Sequence, residues 1–306
     1  MPEGGDYDRG PWDGHDFDAA RKVYKTHAGR SYGAALKANV SHADLLPPVL
    51  RTMSRSPLVI WTDVTGSMGK WPETIFSKLP YLDHECRVYL GDDTEICFGA
   101  TGDAPCGDHY PIQAQPFAKG TELAERLKGL VIEGGGGDTD QESYELAALY
   151  LARNVEMPNA SRPVLIIIGD EGFYEVIDPK VADSVCHVKI QKRLMAKDVF
   201  AELMLKYSVY LIRKPYGSSG DNGPSAEDRQ IHRQWADVLT EDRICMLPNA
   251  DRVVDVIFGI LAKETSRYPD FQKEIEGRQT PQQVNTVYES LATIHRSQVP
   301  KLTTKL

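Results

Sequence analysis

Cysteine is scarce and scattered: Cys86, Cys97, Cys106, Cys186 and Cys245 are an odd set of five in 306 residues, with no Cys-x-x-Cys pair among them. That pattern excludes a disulfide framework or a zinc knuckle and fits reduced thiols in a cytoplasm. Cations are in the minority, 35 Lys and Arg against 44 Asp and Glu, for a formal charge of −9. A chain that held nucleic acid through its phosphates would need clustered basic residues, so nucleic acid is not an expected partner. Long apolar runs are missing as well. The strongest, Val164-Leu165-Ile166-Ile167-Ile168, falls far short of the ~20 residues of a membrane span. The first eighteen residues hold five Asp and four Gly where a secretory leader would be basic and then apolar, so the expected location is the cytoplasm. The same stretch lacks the Asp-x-Asp-x-Asp-Gly run of a calcium loop and reads as a mobile or loosely docked arm. No His-Glu-x-x-His pair and no internal repeat occurs.

What is present is a globular composition, 41% hydrophobic and 26% charged, long enough to bury a core. Apolar spacing predicts a helix from Phe17 to about His27, while Pro47-Pro48 forbids one unbroken helix over 45–50. From Pro57 the pattern alternates. Apolar runs of strand length start at Leu58, Val164, Val209 and Ile244. Helical patterns lie between them at 75–90 with a break at Pro80, 121–130 with Thr121 as N-cap, 141–153, 181–206 with at least one break, 226–239 and 253–263. Segments 95–100 and 110–117 read as an antiparallel hairpin. Such alternation predicts an α/β fold: a doubly wound, mainly parallel sheet with one antiparallel edge strand and helices on both faces. The organisation is read as an N-terminal extension over 1–56, a domain over 57–265 and a helical C-terminal extension over 266–306. The last carries a stripe of Val284, Val287, Tyr288, Leu291 and Ile294 that packs on the body or faces a partner.

In an open parallel sheet, ligands bind beyond the carboxyl ends of the strands. Three unusual loops fall there: Asp63-Val64-Thr65-Gly66-Ser67-Met68, Gly134-Gly135-Gly136-Gly137-Asp138-Thr139-Asp140 and Gly169-Asp170-Glu171-Gly172. Asp63, Thr65 and Ser67 alternate along a short turn, so their oxygens converge on one point. Crowded carboxylates repel and raise one another's pKa, and a divalent cation relieves this while accepting hydroxyls as neutral ligands. Magnesium suits such hard oxygens, with manganese or calcium as alternatives. One Asp-x-Thr-Gly-Ser on its own also describes an ordinary helix cap, but caps give no reason for acids after two neighbouring strands. A phosphate-binding loop does not fit, because Val64 stands where the first Gly belongs and Trp71 where Ser or Thr would bind magnesium.

These residues resemble the metal-ion-dependent adhesion site (MIDAS) of the von Willebrand factor A (VWA) domain family, in its prokaryotic intracellular form. The likeness rests on Asp63-x-Thr65-x-Ser67 after a buried strand, a Gly-rich loop with a Thr ahead of a helix, and Asp170 after a second buried strand. It implies Asp63, Ser67 and Thr139 as metal ligands, with Thr65 and Asp170 acting directly or through water. The second loop is more acidic than the family's lone Thr, which leaves Asp138 and Glu142 as replacements or supplements for Thr139, and Glu171 as a neighbour of the ligands. The resemblance further implies a magnesium ion with one open position, filled by a Glu or Asp of a partner protein, and no catalysis. Relatives of this kind work beside AAA+ ATPases of the MoxR or chelatase type. Phe173 and Tyr174 are candidates for framing the site or for core packing. The alternative is a magnesium-dependent phosphohydrolase resembling the haloacid dehalogenase family, with Asp63 as nucleophile and Asp170 on the metal. Against it, Thr65 stands where that family's carboxylic general acid belongs.

Overall fold

Apolar residues in unbroken runs of four to six form strands that are covered on both faces, and four such runs make the centre of this protein. The computed structural model describes residues 45–69, 71–78, 82–132, 139–217 and 223–295. The expected arm over 1–18, the helix from Phe17, the glycine run 134–137 and Asp138 lie outside the described residues.

In chain order, β1 (Leu50–Arg51) and β2 (Leu58–Asp63) precede a 3₁₀ turn at Gly66–Met68 and the helices α1 (Trp71–Lys78) and α2 (Leu82–Leu90). β3 (Ile96–Thr101) and β4 (Ile112–Ala114) lead to α3 (Glu122–Gly129). Next come β5 (Gln141–Glu142), α4 (Tyr144–Arg153), β6 (Val155–Glu156) and β7 (Val164–Gly169). β8 (Gly172–Phe173), β9 (Val176–Ile177), α5 (Pro179–Cys186), β10 (Leu194–Met195) and α6 (Ala196–Met204) come after them. The chain continues through β11 (Ser208–Arg213), α7 (Ala226–Leu239), β12 (Ile244–Met246), α8 (Val253–Glu264), α9 (Tyr268–Arg278) and α10 (Pro281–Ser290).

Six strands form one sheet in the order β12-β11-β7-β2-β3-β4, parallel throughout except where β4 runs against β3 at the edge. Fold class is thus mixed α/β with a mostly parallel sheet, as the alternation predicts. Side-chain parity divides the core in two. Leu58, Ile60, Ile166, Ile168 and Ile212 point into a cluster with α1, α2, α3, α8, α9 and α10. Val59, Trp61, Leu165, Ile167 and Leu211 point into a second cluster with α4 to α7. Val284, Val287, Leu291 and Ile294 join the first cluster, so the C-terminal stripe packs on the body. No helix among the described residues is long and apolar enough to cross a membrane.

Three local expectations need correction. Gln141 and Glu142 do not start the helix but form β5, paired in parallel with Gly172 and Phe173, so the helix begins only at Tyr144. Thr121 occupies the N-cap position of α3 in a helical conformation and makes no side-chain cap bond. The segment after 265 holds two helices rather than one, because α9 buries only Phe271 and Ile275, too sparse a stripe to read from the sequence.

Candidate metal centre

Parallel pairing of β11, β7, β2 and β3 brings their carboxyl ends to one edge. Asp63 is the last residue of β2, Asp170 follows the last residue of β7, Asp103 lies two past β3, and Lys214 follows β11. Four charged residues therefore stand side by side without any of them being close in sequence.

Asp63 is fully buried and its two oxygens have separate duties. Oδ1 accepts the backbone N–H of Thr65 at 2.8 Å and its hydroxyl at 2.6 Å, while Oδ2 accepts the Tyr144 hydroxyl at 2.7 Å. Past Thr65 the chain tightens into the 3₁₀ turn Gly66–Met68 rather than staying extended. That turn sets the Ser67 hydroxyl 3.3 Å from that of Thr65, and Ser67 donates onward to Asp170 Oδ1 at 2.9 Å. The result is a continuous string of hard oxygens: Asp63, Thr65, Ser67, Asp170. Neighbouring oxygens around magnesium lie about 3 Å apart when each metal–oxygen bond is about 2.1 Å. The string has that spacing, and its members are the donor types such an ion takes. Gly66 is exposed and Ser67 half-buried, so the string meets solvent at Ser67, between its buried ends Asp63 and Asp170. Among the described residues no three acidic, imidazole or thiol side chains converge as a metal-binding group. The string carries two carboxylates, and the rest of its donors are hydroxyls.

Burial, reinforced by the charge of Asp170, pushes the Asp63 carboxyl up to about 8 despite its hydrogen bonds from Thr65 and Tyr144. Below that layer, Glu142 and Glu171 hydrogen-bond to each other. Burial, the charge of Asp63 and the bond to Glu171 drive Glu142 far above the ordinary carboxyl range, so it holds the proton; burial also lifts Glu171, to about 7. Oxygen Oε2 of Glu142 and Oδ2 of Asp103 are buried without a hydrogen-bond partner. This edge crowds carboxyl groups whose charged forms burial and mutual repulsion disfavour, and a cation placed among them would relieve both.

The structure brings together Asp63, Thr65, Ser67 and Asp170 of the expected ligands. Thr139 is exposed; its hydroxyl donates to the Gln141 carbonyl and lies 3.4 Å from the Tyr174 hydroxyl, with no hydrogen bond to Asp63, Ser67 or Asp170. Glu142 sits against Glu171 because β5 pairs with β8, and Asp138 lies outside the described residues. Phe173 is a core residue, packed on Phe200 and Trp235, whereas the Tyr174 hydroxyl donates to Asp103. Sequence reasoning missed Lys214, Asp103 and Tyr144. The first two stand two and three residues past predicted strands, a position that would have marked them; nothing in the sequence marks Tyr144.

One glycine is required here. A Cβ on Gly169 would stand 1.7 Å from the Tyr144 hydroxyl and 3.3 Å from Cβ of Asp63. Gly169→Ala is expected to lower stability by about 1–3 kcal/mol through overpacking. An unfolding midpoint in denaturant unchanged from the parent would contradict the close approach.

No family model matches the sequence, and no curated protein matches it. Among solved structures, the pilus adhesin SpaC from Lactobacillus rhamnosus GG aligns over 71% of this chain with a TM-score of 0.51 at 8% identity. Proximal thread matrix protein 1 from the mussel byssus aligns over 70% with a TM-score of 0.45 at 9% identity. This chain spans 32% of the adhesin and 48% of the mussel protein. At such identity the likeness to the adhesin is one of fold alone.

Proposed function

We propose that this protein is a metal-dependent binding module of the VWA type, which captures a partner's carboxylate through a magnesium ion and performs no catalysis of its own. The observation that carries this reading is the oxygen string from Asp63 to Asp170, which meets solvent at the turn that holds Ser67. Asp63, Thr65, Ser67 and Asp170 would hold the ion; Thr139 is kept as a ligand only through a shift of its loop, and Glu142 as a neighbour. Bound there, magnesium would supply a Lewis-acidic position for an incoming Asp or Glu. Hydroxyls in place of further carboxylates leave more of its charge for that acid.

The sheet order and the two helical layers support a doubly wound arrangement over 57–265, with 1–56 and 266–306 as extensions. Five free thiols, four of them buried, are in keeping with a reducing cytoplasm. An AAA+ ATPase of the MoxR or chelatase type is the partner class proposed. Co-purification of the partner with the full chain is expected to disappear in EDTA and to return with magnesium. Capture indifferent to the chelator would discard the mechanism. The phosphohydrolase alternative predicts magnesium-dependent turnover of a generic phosphate ester, and none is expected.

A further inference from the structure

The candidate centre has a cation of its own. Lys214 Nζ lies 2.5 Å from Asp170 Oδ2 and 2.8 Å from the Ser67 carbonyl oxygen. Its side chain is 21% exposed, so the charge is mostly withdrawn from water. Nor is its position accidental. The backbone N–H of Lys214 donates to the Gly169 carbonyl at 2.9 Å, extending the β11–β7 pairing by one residue. Just before it, Arg213 is locked to Asp228 in a buried ion pair. The lysine is therefore launched from a fixed point toward the string.

Its two acceptors belong to Ser67 and Asp170, both proposed to hold the divalent ion. Asp170 has one oxygen on the Ser67 hydroxyl and the other on the ammonium. Any ion held by Ser67 and Asp170 stands a few ångströms from a fixed positive charge in a partly buried setting, where Coulomb repulsion is only weakly screened. The same ammonium already neutralises one of the two carboxylates that would attract the ion.

We infer that Lys214 is a tethered competitor of the divalent cation, a built-in charge that holds the ligands together and weakens the site's affinity for metal. The inference rests on the metal-binding reading of the same site and adds what sets its affinity. A site built this way discriminates against weak occupancy and favours states in which further negative charge, such as a partner's carboxylate, arrives with the ion.

Calorimetric titration of the full chain with magnesium chloride at constant pH and ionic strength tests it, with thermal melts in EDTA to establish folding. Lys214→Met is expected to bind magnesium at least about tenfold more tightly than the parent, the low end for unit charges this close. Lys214→Arg, which keeps the charge, is expected to stay near the parent. Lys214→Gln is a second neutral variant, should the methionine disturb packing, and is expected to behave as Lys214→Met does. Equal or weaker binding by a folded neutral variant overturns the competitor role and leaves the metal site standing. Magnesium bound by no variant and not by the parent overturns both. Binding by a neutral variant alone, with none detectable in the parent, is the strongest form of the expected result.

Discussion

Asp63→Asn is expected to weaken magnesium binding by about a hundredfold or more, to the limit of calorimetric detection, while leaving the chain folded. The amide keeps an acceptor for the Thr65 N–H and hydroxyl but removes the charge nearest the ion. At neutral pH without metal the carboxyl already holds its proton, since its pKa is raised to about 8, so the neutral amide resembles the resident group. Metal binding to the folded state alone raises stability by about 2.7 kcal/mol at a ligand concentration one hundred times Kd. That gain is expected in the parent and absent in the variant. Full affinity retained by Asp63→Asn sinks the assignment.

The same pair of proteins yields a second readout in EDTA. Because the folded state holds the Asp63 proton more tightly than the unfolded chain, this group's contribution is complete below about pH 4. It is lost as pH rises toward 8, at up to about 1.4 kcal/mol per unit, and is constant above. The variant has nothing to titrate there. Its melting temperature relative to the parent is therefore expected to climb steadily between pH 5 and 8, and parallel curves would show that Asp63 is not perturbed as described.

The second large effect lies under Lys214. Arg213 is fully buried, and its guanidinium donates to the side chain and the backbone carbonyl of Asp228 at the start of α7. Asp228 also accepts the Tyr216 N–H at 2.7 Å, and its own N–H is capped by Ser225 at 3.0 Å. Asp228→Ala strands a guanidinium in the protein interior, at an expected cost of about 3–5 kcal/mol. For a chain of 306 residues that corresponds to a fall of roughly 5–8 °C in Tm. Removing both charges, as Arg213→Met with Asp228→Leu, is expected to recover most of the loss, because the pair's mutual attraction does little more than offset its desolvation. A single-variant loss under about 1 kcal/mol would mean that water reaches the arginine.

Much of this molecule is legible in its sequence for one reason: apolar strands and their helices are local patterns. Ala226–Leu239 can be read from its periodicity and the long central strands from their apolar runs, and Asp63, Ser67 and Asp170 converge because they stand at the end of a buried strand or on the loop that follows it. The illegible part depends on contacts between distant segments. A two-residue strand such as β5 has no periodicity to detect, and only its partner at Gly172–Phe173 makes it one. Lys214 reaches Asp170 because β11 happens to lie beside β7, a neighbour relation that alternation does not specify. Tyr144 reads as the first turn of an apolar helix, and only the absence of a side chain at Gly169 lets its hydroxyl through to Asp63.

At the far side of the sheet, α8 runs past α10, and a Cβ on Gly259 would come within 2.1 Å of a methyl of Leu291. Thr280 and Gln283 cap the start of α10 reciprocally, and Lys263 ties its exit through the carbonyls of Leu291 and Ile294. The polypeptide is thus latched like a lid into its own back wall. A shortened version stopping near 265 would bare the trough that Leu291 fills and invite aggregation, so expression boundaries are best set beyond residue 295.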